Sequence, residues 1–127
     1  RGSGATLAPQ YRNEFGTCSI EVLTTINTDR KDWAEFMQRV TDRWLAIPDG
    51  GGNTLKARPH WAKEWQGLTV RGAPIADYLR DEAYKDRIPE FGAALSKIAA
   101  AGGYSMQDLK ARFSNDSLTG ILGAIYD

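Results

Sequence analysis

The sequence predicts an α+β fold in which helices predominate. Its 127 residues are 42% hydrophobic and 25% charged, which is the composition of an ordinary globular domain large enough to bury a core. One segment, residues 18–26, is rich in β-branched side chains and alternates as a strand does. Several later segments instead repeat their apolar residues at helical spacing.

The first half of the chain predicts one strand and one helix. In residues 18–26, Ile20, Val22 and Ile26 share one face, so we expect a strand with that face buried. Thr28 or Asp29 can cap the helix that follows. The apolar stripe of this helix is Trp33, Phe36, Met37, Val40 and Trp44. Its end is marked by "PDGGGN", residues 48–53, which favours a tight hairpin loop.

The second half predicts mainly helices. "GLTV" is expected to be short and extended, and a helix from about Pro74 should present Ile75, Tyr78 and Leu79. A further helix over residues 88–100 would place Ile88, Phe91, Leu95 and Ile98 on one side, with Gly102 and Gly103 ending it. Ser105 with Asp108 predicts a capping box, and an apolar segment closes the chain.

Charge and cysteine content exclude several classes of protein. Sixteen basic and sixteen acidic residues cancel, so the broad positive field of a nucleic-acid-binding protein is lacking and we expect no nucleic-acid partner. No apolar run approaches the ~20 residues of a membrane-spanning helix, which predicts a soluble chain. Cys18 is the only cysteine, which favours a reducing compartment without fixing the localisation.

The stretch "ARPHWAKEW", residues 57–65, concentrates side chains capable of chemistry. It holds the only histidine, His60, together with Lys63 and two tryptophans. A histidine can act as acid or base and a lysine can stabilise an oxyanion, although a packed structural histidine and a surface lysine are the alternatives. One histidine and one distant cysteine are too few for a zinc site, and no Gly-x-Ser-x-Gly stretch indicates a serine hydrolase.

These residues resemble a known signature. "RPHWAK" is similar to a motif near the end of sugar-lactone oxidases, the flavin-dependent aldonolactone oxidases of the vanillyl-alcohol-oxidase family. "LAPQY" at residues 7–11, the strand, the helix and "RPHWAK" follow the family's order, and "DYLRD" and "RFSND" resemble its later helix and terminal F-x-N. The resemblance covers nearly the whole chain.

The resemblance implies the C-terminal part of an FAD-dependent oxidase. Residues 1–56 would be a portion of the substrate cap, and residues 57–127 would carry the HWAK motif and helices that pack back on the FAD domain. Lys63 would be catalytic and bind substrate, together with Glu21 and Trp61, while His60 and Asn115 would contact the cofactor. The substrate would be a sugar lactone, polyol or related alcohol, oxidised by hydride transfer with O₂ as acceptor.

Some parts of the family's enzymes have no counterpart in this sequence. The family's E-x-R strand and FAD-binding domain do not occur in the sequence, so we expect the remainder of the flavoprotein as partner and no activity from this chain alone. The family's order places Glu21 where some members have a histidine, and Asp116 follows Asn115 where the family commonly has proline. The alternative interpretation is a non-enzymatic α+β interaction module with a tryptophan-rich partner surface.

Overall fold

A computed structural model describes residues 5–11, 13 and 16–127 of the chain. The described part has five α-helices and one antiparallel sheet of two short strands, which confirms a helix-rich α+β fold. The link to a flavin oxidase and the division at residues 56 and 57 stay predictions.

Helix α1, Arg30–Leu45, forms where the apolar periodicity predicts it. Asp29 caps it, because its carboxylate accepts the backbone N–H groups of Lys31 and Asp32. No residue of α1 is buried, however, and its apolar stripe is at most partly covered. The loop that follows is a hairpin closed by a bridge between Pro48 and Thr54, which confirms the prediction for "PDGGGN".

The predicted strand at residues 18–26 is wrong for the described structure. This segment has no regular secondary structure, and it has no partner strand among the described residues. The face expected to be buried is exposed, since Ile20 is 64% and Ile26 is 98% accessible. The physical reason is that β-propensity yields a strand only when another strand satisfies its backbone groups.

The sheet joins strands β1, Thr69–Val70, and β2, Ala73–Pro74. Arg71 and Gly72 both have positive φ, as the tight two-residue turn between them requires. Helix α2, Ile75–Tyr78, then continues into a π-helical turn, Leu79–Ala83. As predicted, Ile75, Tyr78 and Leu79 face the core.

Three further helices complete the fold: α3, Arg87–Ala101, α4, Met106–Phe113, and α5, Asp116–Leu122. Gly102 ends α3 and Ser105 with Asp108 forms the expected capping box of α4. The sequence predicted that Ile98 lies on the buried side of α3, and this prediction is wrong. Ile98 is 69% exposed, and Ala99 is buried instead. The buried side has shifted because Ala99 packs in the cluster of Leu109 and Tyr126.

Burial is strongly uneven along the chain. Among the described residues, each buried side chain is Tyr11 or lies between Trp65 and Tyr126. Residues 16–64 contribute none, although they carry the exposed side chains of Ile20, Leu23, Ile26 and Phe36. We call residues 57–127 together with residues 5–11 the body.

Candidate functional site

The RPHW motif holds the "LAPQY" turn against the body. Arg58 donates one hydrogen bond from Nη1 to the Pro9 carbonyl and another from Nε to the Ala83 carbonyl, both at 3.1 Å. The indole nitrogen of Trp61 donates to the Leu7 carbonyl at 2.9 Å. Two sequence segments singled out separately are therefore in direct contact.

A second arginine, Arg87 in α3, holds the same turn. Its guanidinium donates to the carbonyls of Ala8, at 3.4 Å, and Tyr11, at 2.9 Å. Arg58 also stacks on the ring of Tyr84, 4.9 Å from the ring centroid, and Arg87 lies 5.8 Å from the same centroid. Burial and the nearby charge of Arg87 lower the pKa of Arg58. These arginines are committed to main-chain carbonyls and aromatic rings.

The structure brings Lys63 and Glu21 together. The ammonium of Lys63 lies 3.6 Å from the carboxylate of Glu21, and both side chains are about two-thirds exposed. The backbone N–H of Lys63 donates to the His60 carbonyl, which closes the turn that presents the lysine. Because both side chains are exposed, their charges are accessible to a small molecule. An exposed pair of this kind contributes little to stability.

His60 lies apart from that pair in its hydrogen bonding. Its side chain is exposed, and Nδ1 accepts the backbone N–H of Ala62 at 3.2 Å. A neutral imidazole that accepts at Nδ1 carries its proton at Nε2, which leaves an outward-facing donor. In the described structure His60 therefore has a local role in shaping the turn.

Trp61 and Asn115, predicted for substrate and cofactor, line one cavity of about 370 Å³. Leucines and tryptophans form most of the wall, and polar groups come from Gln66, Asn115 and Ser117; the apolar members are Leu7, Trp61, Trp65, Leu118 and Leu122. Asn115 also caps α5, since its Oδ1 accepts the Leu118 N–H at 2.9 Å. Its amide nitrogen has no acceptor among residues 5–11, 13 and 16–127 and can donate to a ligand.

A second cavity of about 290 Å³ adjoins the first along Trp65, Gln66 and Ser117. Neither cavity is lined by Lys63, Glu21 or His60. The predicted site residues thus form two separate groups, the Lys63 and Glu21 pair and the Trp61 and Asn115 cavity. Trp65 is 4% exposed and packs in the core.

Sequence reasoning missed Arg87, Tyr84 and Gln66. Arg87 binds the "LAPQY" turn from 76 or more positions away in the chain, and the ring of Tyr84 lies under Arg58 and Arg87; no spacing rule connects such distant residues. Gln66 lies directly after the motif, where no residue pattern distinguishes it from a surface glutamine. The usable signal was the aromatic and basic content of residues 84–87, which follows a predicted helix.

Three broader searches looked for metal clusters, membrane-spanning helices and similar proteins. In the described part of the chain, no three His, Cys, Asp or Glu side chains are grouped closely enough to hold a metal ion. No helix there is both long and apolar enough to cross a membrane. Comparisons with protein-family models, curated proteins and solved structures found no match.

Proposed function

We propose that this chain is the C-terminal part of an FAD-dependent oxidase acting on a sugar lactone, polyol or related alcohol, with Lys63 at the substrate. The observation that carries the proposal is the Lys63 and Glu21 pair. The resemblance implies that both residues bind substrate. They are 42 positions apart in sequence, and their charged groups lie 3.6 Å apart on an accessible surface. A solvent-accessible cation held by a carboxylate is suited to binding a hydroxyl group.

Contact between "LAPQY" and "RPHW" also supports the proposal. The sequence resemblance includes both segments in this order along the chain. Arg58 and Trp61 of the second segment donate hydrogen bonds to carbonyls of the first. The turn supplies Leu7 to the cavity wall beside Trp61.

What supports a flavin in this proposal is the chemistry of the cavity lining. Its apolar walls suit a flat heteroaromatic ring, and the amides of Gln66 and Asn115 suit the polar edge of such a ring. Among the described residues its lining offers no cation for a pyrophosphate, and Gly50–Gly52 lacks the Lys and Ser/Thr of a phosphate loop. The FAD-binding domain of the remaining flavoprotein would have to hold the rest of the cofactor.

A bound flavin would supply the acceptor for the substrate hydride. The contribution of this chain is to bind the alcohol: the Lys63 ammonium donates a hydrogen bond to the substrate oxygen. The hydroxyl proton would pass to the Glu21 carboxylate as the carbon-bound hydride passes to the flavin, which leaves a carbonyl. While proton loss runs ahead of hydride loss the oxygen carries negative charge, so the nearby cation stabilises the transition state more than the ground state. Glu21 orients the ammonium.

The test is Lys63→Ala in the flavoprotein that contains this sequence, assayed with an aldono-1,4-lactone. We expect kcat/KM to fall by about two orders of magnitude or more, as when one donor to a developing oxyanion is removed. Thermal stability should change little because the lost ion pair is exposed.

Lys56→Ala is the matched control, since it removes an exposed lysine next to the motif. It should leave turnover unchanged. A purified protein without the visible absorbance of flavin, or equal turnover in the two variants, would reject the proposal.

The second candidate function is a non-enzymatic interaction module. One observation favours a partner surface on the exposed apolar residues before the motif, in place of one on the tryptophans. Four of the exposed large apolar side chains, Ile20, Leu23, Ile26 and Phe36, lie within residues 20–36, whereas Trp65 of the motif is buried. Under this alternative the lactone assay and the flavin spectrum are both negative while the chain still binds a partner.

A further inference from the structure

His60 accepts two hydrogen bonds within the turn that presents Lys63. The Lys63 N–H donates to the His60 carbonyl at 3.0 Å, which closes a turn over residues 60–63. The Ala62 N–H donates to Nδ1 of His60 at 3.2 Å. The first position of such turns favours Asp, Asn and Ser, whose side chains accept the N–H two residues further on. Here a histidine occupies that position, and histidine is the side chain that changes charge near neutral pH.

The residues of this turn are held in different ways. Trp61 is anchored to the body, since its indole donates to the Leu7 carbonyl at 2.9 Å and its ring lies 5.2 Å from that of Tyr84. Ala62 and Lys63 are exposed, and the hydrogen bonds of their backbone N–H groups both go to His60. The position of the Lys63 backbone therefore depends on His60.

Protonation of the imidazole removes one of these two acceptors. A neutral imidazole with its proton on Nε2 has a lone pair on Nδ1, whereas the imidazolium carries a proton on both nitrogens. The Ala62 N–H would then face a second donor. Loss of one hydrogen bond of this kind favours the open form of an exposed turn by roughly fivefold.

Few charged side chains surround the imidazole. Lys63 and Glu64 follow His60 in the chain, and Glu21 reaches the turn from a separate segment through its pair with Lys63. Arg58 is directed to main-chain carbonyls, and residues 5–11, which pack against Trp61, carry no charged side chain. In the described part of the chain none of these groups forms an ion pair with His60, so the bond from Ala62 is what the imidazole charge changes.

We propose that His60 is a pH-sensitive positioning residue for Lys63. In its neutral form it holds the turn that places the lysine 3.6 Å from Glu21, and on protonation the turn opens and the pair separates. This conformational change needs no flavin. Its consequence for catalysis, weaker turnover at acid pH, rests on the proposed function of Lys63.

The test compares His60→Asn and His60→Ala with the unaltered chain at pH 5.5 and pH 7.5. Asparagine has an acceptor in the place of Nδ1 but does not titrate, whereas alanine has no acceptor. His60 is the only histidine, and ordinary carboxyl groups and lysines keep their charge over this range. The readout is the protection of the Ala62 and Lys63 amides in NMR hydrogen exchange, corrected for the effect of pH on the intrinsic exchange rate.

In the unaltered chain we expect protection of these amides to be roughly fivefold lower at pH 5.5 than at pH 7.5. His60→Asn should keep the higher protection at both values, and His60→Ala should show the lower protection at both. Equal protection of the unaltered chain at the two values would overturn the proposal, as would full protection in His60→Ala. A loss at pH 5.5 in His60→Asn would also overturn it, because residue 60 cannot titrate in that variant.

Lactone turnover distinguishes this proposal from the proposed function. In the flavoprotein that contains this sequence, kcat/KM should fall more steeply from pH 7.5 to pH 5.5 in the unaltered protein than in His60→Asn, and equal profiles would contradict a positioning role. Amides that respond as expected in a protein without lactone turnover would support the pH-sensitive turn and reject the oxidase. Amides that do not respond, with turnover lost in Lys63→Ala, would do the reverse.

Discussion

At the scale of single residues, two buried tyrosines provide a comparison. The hydroxyl of Tyr78 donates to the Ala57 carbonyl at 3.0 Å. The hydroxyl of Tyr84 is buried with no well-formed hydrogen bond to a described residue, because the nearby indole N–H of Trp61 is bound to Leu7. A buried polar group with a partner stabilises a fold, and one without a partner destabilises it.

We predict that removing these two hydroxyls changes the free energy of unfolding differently. Tyr78→Phe should lower the free energy of unfolding by about 1 kcal/mol, because the Ala57 carbonyl loses its donor. Tyr84→Phe should leave it unchanged or raise it slightly. Chemical denaturation of both variants measures the difference, and a larger loss in Tyr84→Phe would show that its hydroxyl has a partner.

Burial raises the pKa of both Tyr78 and Tyr84, against a smaller opposing effect of the Arg58 charge. A raised folded-state pKa gives stability that is complete below the unfolded-state value of about 10 and is lost as the pH rises through the folded-state value. We therefore predict alkaline destabilisation that is weaker in Tyr84→Phe. Denaturation midpoints measured from neutral to strongly alkaline pH test this, and parallel curves for the two proteins would contradict it.

At the scale of elements, Gln38 supplies the hydrogen bonds that join α1 to β1 among the described residues. Gln38 binds Thr69 of β1 in the way a neighbouring strand would, and it also donates to Asp42 at 2.9 Å. Leu45 adds an apolar contact with the core. A helix with no buried residue should detach easily once the amide is lost.

We predict that Gln38→Ala speeds exchange of the α1 amides by on the order of tenfold, because two hydrogen bonds to Thr69 disappear. Alanine favours helix, so intrinsic propensity cannot account for a loss. Glu35→Ala on the exposed surface of α1 is the control and should have little effect. Unchanged exchange in Gln38→Ala would mean that Leu45 alone holds the helix.

The elements show why part of the fold was predictable. Helix α1 and the capping box of α4 follow from local rules, since their signals lie within a few residues of one another. The prediction of a strand over residues 18–26 was wrong because strand pairing depends on a partner that local sequence does not reveal. The same limit applies to the site: Lys63 was found from its motif, whereas its position beside Glu21 and the Arg87 contacts needed the folded chain.

At the scale of the whole molecule, stability should be concentrated in the body. Ile121 is 1% exposed and Ile26 is 98% exposed, so the same substitution at the two sites compares the body with the first half. Ile121→Ala should cost about 2–5 kcal/mol, the usual range for a buried isoleucine. Ile26→Ala should change stability by less than about 0.5 kcal/mol.

Urea denaturation monitored by tryptophan fluorescence measures both variants. Trp61 and Trp65 report on the body, and Trp33 and Trp44 report on α1. Comparable losses in the two variants would show that Ile26 is packed in solution and that burial is more even than described.

The turn at residues 7–11 has a further consequence for chain topology. This turn is hydrogen-bonded to the body by Arg58, Trp61 and Arg87. The stretch of chain between Tyr11 and Arg58 therefore begins and ends at neighbouring points of the body. That stretch is an excursion from a closed loop, and the entropy of closing a loop grows only slowly with its length. We expect the body to tolerate shortening of the excursion to a brief glycine-serine linker, with heteronuclear NMR spectra of residues 65–126 largely preserved; collapse of those spectra would mean that the excursion supports the body.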